Sequence, residues 1–148
     1  MKYIKQINLS WRIEMILRLS FIFLVGMTLC SCEAMKSKDL TNRFETTLRD
    51  YETALRWAEY RAAASYHVSR EKTPLVVDIE HAKNFSVTGI NILEKTINPE
   101  ATEAVILAEI SYYSKEYGTV KTLRQEQHWW RVPEGKAWLI ESDFPEFK

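Results

Sequence analysis

The chain is poor in the residues that staple, break or specialise a fold: 148 residues hold two cysteines, four glycines and four prolines. The cysteines, Cys30 and Cys32, stand one residue apart. A disulfide across one intervening residue is strained, because bridged Cα atoms favour larger separations. A zinc site needs further ligands that no nearby His or Cys supplies, and the C-x-x-C redox spacing is absent. No glycine-rich phosphate loop, nucleophile elbow or metal triad is present. Internal repeats and low-complexity segments are missing as well. The formal net charge is zero, and no basic stripe stands out, which argues against nucleic acid as a partner. The longest uncharged apolar run, Leu19 to Leu29, is eleven residues long. A membrane-crossing helix needs roughly 20.

What is present begins with charge. Lys2, Lys5, Arg12 and Arg18 stand against Glu14 alone ahead of that apolar run, a local net charge of +3. A basic segment, a short apolar run and small residues form the pattern of a secretory signal peptide. A buried helix is a poor reading of the same run, since a segment apolar on every side needs covering all round. Leu29-Cys30-Ser31-Cys32 resembles the lipobox of bacterial lipoproteins: a Leu, a variable residue and a small residue before the Cys. The resemblance implies that Cys32 is lipidated on its sulfur and that the chain is cut just before it. Cys30 fits poorly, because Leu29 would then occupy the cleavage position, and Cys30 would leave with the signal peptide. Cleavage by ordinary signal peptidase and an uncleaved anchor are the alternatives.

Anchoring is the physical purpose of that chemistry. Each buried methylene contributes about 0.8 kcal/mol and one acyl chain is marginal, so stable attachment needs more than one. Lipoproteins of this type carry three. Glu33 follows the Cys, where an Asp would imply retention at the inner membrane of a Gram-negative cell; the resemblance therefore implies the outer membrane, with the domain in the periplasm. The expected organisation is a signal peptide over 1–31, a lipidated Cys and polar tether over 32–39, and one domain over 40–148. Residues 32–148 hold 16 Lys and Arg against 19 Asp and Glu, a mildly acidic balance.

From Leu40 the apolar period is helical. Leu40, Phe44, Leu48, Tyr51, Leu55, Ala58, Ala62 and Tyr66 recur at steps of three or four, which predicts a helix over 40–66 with a break near Arg61. This stripe is read as a core face. The segment "LVVDIEHAKN" after Pro74 reads as a short strand or a turn of helix. From Phe85 the period changes to two. "FSVTGINILEKTI", with Gly89 as a bulge or bend, is a strand; Asn98-Pro99 is a turn; "ATEAVILAEISYYSK" alternates between two faces. "TVKTLRQEQHWWRV" and "AWLIESDF" follow, joined by short turns at Tyr117-Gly118 and Pro133 to Lys136, so antiparallel hairpins are expected. Strands of twelve or more residues must twist and curl.

A long amphipathic helix followed by a curved antiparallel sheet of about four strands predicts an α+β fold. The helix Phe44 to Tyr66, the sheet Phe85 to Ile140 and the ending "HWWRVPEGKAWLI" resemble the nuclear transport factor 2-like superfamily. That resemblance implies a cone-shaped domain with a pocket between the concave sheet face and the helices. Its members include isomerases, dehydratases, binding modules and inactive structural domains, so the fold alone implies no activity. Its isomerases use a carboxylate base with a Tyr and a second acid, and no matching set is found in this chain.

Local residues supply the remaining candidates. Arg124, Glu126, His128 and Trp130 share a strand face by parity, and a His beside a carboxylate is the weak catalytic pair, Glu126 and His128. The same row reads first as a solvated or cross-strand polar row with salt bridges, which needs no function. His67 and His81 are expected at the surface. Tyr112 with Tyr113, and Trp129 with Trp130, place one ring on each sheet face. Tyr113, Leu107 and Val105 therefore mark a candidate interface, suited to a homodimer. The leading functional expectation is a membrane-anchored binding or structural module, with no cofactor and no metal. The alternative is an anchored carrier, isomerase or dehydratase that takes a small apolar ligand into the cone.

Overall fold

The computed structural model describes residues 38–73, 75–133 and 137–148, so Cys30, Cys32 and the signal-like segment lie outside the described residues. The compact unit spans Asp39–Lys148. Its first helix, α1, covers residues 38–56 and buries Leu40, Phe44, Leu48, Tyr51 and Leu55 on one stripe. The three-and-four spacing thus does what an amphipathic helix requires.

This helix does not run unbroken to 66: the expected break falls at residues 57–59, just ahead of Arg61. Ala58 takes the left-handed conformation, φ 58°. The Glu59 N–H then bonds back to the Ala54 carbonyl at 2.8 Å, and the Ala58 N–H to that of Leu55 at 3.2 Å. These two bonds are the Schellman closure of a helix end, built on Ala where Gly is usual. A second helix, α2, runs Tyr60–Ala64 and buries Tyr60 and Ala63. Ala58 and Ala62, predicted on the buried stripe, are exposed because the left-handed residue resets the helical phase. A short third helix, α3, follows at Ile79–Ala82, where the Asp78 carboxylate caps it by accepting from the His81 N–H at 2.9 Å.

Four strands form an antiparallel meander: β1 Phe85–Ile97, β2 Glu103–Ser114, β3 Val120–Arg131 and β4 Trp138–Ile140, in that spatial order. The class is α+β with a curved antiparallel sheet, as the periodicity predicts. β1 carries two register shifts against β2, at Val87/Gly89 and Ile92/Glu94, which bend a strand too long to lie flat. The first bulge is made at Thr88; Gly89 beside it has room for a Cβ. At the β1–β2 turn the Asn98 side chain accepts from the N–H groups of Thr102 and Glu103, at 2.8 and 3.0 Å. Residues 66–68 extend the sheet beyond β4 through one parallel bridge between His67 and Ile140.

β2 alternates as predicted: Ala104, Ile106, Ala108, Ile110 and Tyr112 are buried, while Val105, Leu107 and Tyr113 face outward. Two aromatic groups fill the concave side. Near β4, Phe44 and Tyr51 of α1 pack on Trp129 at 5.5 and 5.6 Å, and Phe44 on Trp138 at 4.7 Å. Near the start of β1, Phe147 sits 6.0 Å from Tyr60, 5.8 Å from Phe85 and 5.0 Å from Tyr112. The second group depends on residues 141–148, a segment without regular secondary structure that follows β4 and lies against the concave side. It is called the strap below.

Candidate functional site

The outer sheet face carries the residues singled out by parity. His128 Nε2 lies 2.7 Å from Glu126 Oε1, and both side chains are more than half exposed. The nearby depression is lined by Gln125, Glu126, His128, Glu141, Ser142 and Asp143. Glu109 and Arg124, directly opposed on β2 and β3, form an ion pair at 3.1 Å. Glu126 is paired within its own strand and Arg124 across to the neighbouring one, an arrangement in which water reaches every partner.

Along the same face Val105 and Leu107 lie at one end, and Tyr113 opposes Val120 at the other, with the Glu109–Arg124 pair between them. Val105 is 39% and Val120 64% exposed, whereas Leu107 and Tyr113 are half-buried. Trp130 points the same way by parity yet is not open. It is buried, and its indole N–H donates to the Val68 carbonyl at 3.0 Å, so residues around 68 cover it. Arg70, on that covering segment, holds Glu103 at 2.7 Å and Glu141 at 2.8 Å, and its hydrogen bond draws the Glu141 carboxyl below the usual range.

The concave side brings together residues that sequence reasoning placed elsewhere. His67, expected at the surface, is fully buried. Its Nδ1 stands 2.8 Å from the Ser142 carbonyl, and its Nε2 is 3.1 Å from the Tyr51 hydroxyl. A carbonyl only accepts, so Nδ1 carries the proton and Nε2 accepts from Tyr51. Burial lowers the His67 pKa, and the Ser142 carbonyl and the charge of Asp143 oppose that shift only in part. Burial pushes the Tyr51 hydroxyl strongly upward, so it stays a donor. The pair forms a neutral hydrogen-bonded chain from α1 to the strap. His81 is at the surface as expected, and its Nε2 meets the Phe147 carbonyl at 2.9 Å.

β3 supplies polar groups to the same side. Trp129 Nε1 donates to Gln127 Oε1 at 3.1 Å, Gln127 Nε2 to Gln125 Oε1 at 3.3 Å, and Gln125 Nε2 to the Asp143 carbonyl at 2.7 Å. A main-chain oxygen of Lys148 accepts from Lys121 Nζ at 2.8 Å and from the Tyr112 hydroxyl at 3.2 Å. Sequence reasoning passed over these residues. Their signal was the polar set Lys121, Gln125 and Gln127 at core-facing parity in β3, with two phenylalanines three apart at Phe144 and Phe147.

A 620 Å³ open cleft lies beside the α1–α2 junction, lined by Ala58, Glu59, Tyr60, Arg61, Ala62, Ser65, Ile79 and Lys83. Its lining contains no strand residue, so it is not the cone pocket. Its Lys83 is paired with Glu80 at 2.7 Å, and the Ser65 hydroxyl donates to the Ala62 carbonyl at 2.6 Å. Among the described residues, no group of three or more His, Cys, Asp or Glu is placed to hold a metal ion, and no helix is long and apolar enough to cross a membrane. No family model, curated protein or solved structure matches the chain.

Proposed function

We propose that this protein is a lipid-anchored interaction module. Cys32 is acylated, Cys30 is discarded with the signal peptide, and the domain stands in the periplasm on a short tether from the outer membrane. Its fold is read as nuclear transport factor 2-like, and its outer sheet face meets a protein partner, first of all a second copy of the chain. One observation carries this reading over the enzyme or carrier alternative. The concave side, where that superfamily keeps its pocket, is packed with Tyr60, Phe85, Tyr112 and Phe147, while the outer face leaves apolar side chains in water.

A second copy suits the outer face because the pattern there is self-complementary. Val105 and Leu107 at one end, Tyr113 and Val120 at the other, and an acid–base pair in the middle can meet themselves about a two-fold axis. In that arrangement Glu109 of one protomer faces Arg124 of the next, and the reverse holds as well.

Native mass spectrometry of the soluble form Glu33–Lys148 tests the assembly reading. A dimer without added mass, converted to monomer by Tyr113→Glu or Leu107→Glu, is the expected result. A clean monomer at tens of micromolar would remove the assembly reading, and extra mass lost on denaturation would shift the reading to a pocket ligand. The anchor is tested separately by intact mass of the protein from membranes. A chain that starts elsewhere than Cys32 without acyl chains removes the lipoprotein assignment.

A further inference from the structure

Arg131, the last residue of β3, is the one lysine or arginine among the described residues that is not exposed. Its main-chain N–H donates to the Thr102 carbonyl at 2.9 Å, and its side-chain Nε to the Ala101 carbonyl at 3.0 Å. The β1–β2 turn thereby fixes both ends of the residue. No carboxylate among the described residues pairs with this guanidinium, and its terminal N–H groups have no partner there. Acids outnumber bases over residues 32–148, so a counter-charge was available in composition and is not placed here. A half-buried charge has lost part of its hydration, and chains usually match such a charge with an opposite one.

Arg131 lines a cleft of 460 Å³ together with Arg70, Lys72, Thr102, Glu103 and Trp130. Three of these residues are cations, and the one acid, Glu103, is already held by Arg70 at 2.7 Å. The Thr102 hydroxyl accepts from the Asn98 amide at 2.8 Å, which leaves its own hydrogen to donate. The Trp130 indole N–H is taken by the Val68 carbonyl, so this side chain offers the cleft ring carbons only. Donors from three separate stretches of chain, around 70, 102 and 131, thus converge beside an aromatic surface.

We propose that this cleft binds a small molecule bearing a phosphate group, with Arg131 as the residue that grips it. A guanidinium fork matches the oxygens of carboxylate and phosphate alike. Donors arriving from three directions suit a tetrahedral group better than a flat carboxylate. The volume beyond one phosphate accommodates an apolar body against Trp130. None of Val105, Leu107, Tyr113 and Val120 lines the cleft, so the site stands or falls apart from the assembly reading.

The probe is sodium phenyl phosphate, titrated at pH 7.5 and constant ionic strength into isotope-labelled full-length protein in a non-ionic detergent. The Trp130 indole N–H and Arg131 Nε–H signals in NMR spectra should shift together and saturate, with a dissociation constant of about 1 mM or tighter. Sodium benzoate, a carboxylate on the same ring, should bind at least about tenfold more weakly. Arg131→Gln keeps a donor for the Ala101 carbonyl and removes the charged fork, so it should weaken phenyl phosphate at least about tenfold. Arg61→Gln, at an exposed cation outside this cleft, should leave the affinity unchanged. Shifts that do not saturate, equal affinity for benzoate, or equal affinity in Arg131→Gln overturn the proposal. If Arg131→Gln does not fold, the exposed Lys72→Gln is titrated instead; a loss of about threefold supports the site and no loss overturns it. Phosphatidic acid mixed into the detergent micelles separates two sources of the group. Displacement of phenyl phosphate assigns it to a lipid headgroup, and no displacement assigns it to a soluble phosphate ester.

Discussion

Replacing His67 by Phe keeps a flat ring in the same space and removes both of its hydrogen-bonding nitrogens. The Tyr51 hydroxyl and the Ser142 carbonyl then lose their partner inside the protein. Each orphaned group costs about 1–3 kcal/mol, so the substitution should destabilise by about 2–6 kcal/mol at pH 7.5. The pH dependence is the sharper test. In the unfolded chain this histidine takes a proton near 6.5, and in the fold burial holds its pKa lower. Below about pH 6.5 the unfolded state binds a proton that the folded state does not, so stability falls as pH falls. The limit is about 1.4 kcal/mol per pH unit until the lowered folded pKa is reached. Urea unfolding of both proteins at steps between pH 7.5 and 5.5 measures the difference. The unaltered protein should lose up to about 1.4 kcal/mol more than His67→Phe over that range. Parallel stability curves, or a histidine-selective NMR titration placing His67 at or above 6.5 in the fold, would refute the neutral Tyr51–His67–Ser142 chain.

Ala58→Gly should stabilise by about 0.5–1 kcal/mol in urea unfolding, because relief of the left-handed strain exceeds the added freedom of the unfolded chain; a loss of stability would show that the methyl group has a packing role. Gly89→Ala should be stabilising by about 0.4–1 kcal/mol, since its Cβ meets open space and its φ is not positive, and thermal melting checks it. Arg70→Ala should cost about 0.5–1 kcal/mol at low salt and less at 1 M salt, because both of its ion pairs are half exposed. Such a loss unaffected by salt would point instead to its stem covering the segment over Trp130.

Where a residue's place depends on its neighbours in the chain, it was legible from the start. Alternation alone placed Ala104, Ile106, Ala108 and Ile110 in the core and Val105 and Leu107 outside it, because successive strand side chains must leave on opposite faces. The same rule misjudged Trp130, whose cover comes from residues around 68, more than sixty positions away. The helix break was legible as a break but not at its position. Ala gives no local sign of a left-handed conformation, and only the buried seats for Leu55 and Tyr60 on either side of the junction demand it.

The strap and His67 were illegible for a related reason. Residues 141–148 have no period, and their order comes from contacts with Gln125, Tyr112 and His81. His67 is held by partners 16 and 75 positions distant, and no window of sequence spans them. By itself, then, the sequence determined the elements: an amphipathic helix, four strands with their inward and outward faces, and the short turns that make the sheet a meander, all through periodicities that the backbone imposes locally. Only the tertiary structure decided that the concave side is filled by the chain's own aromatic strap, since burying a polar or irregular segment depends on distant groups arriving to satisfy its hydrogen bonds.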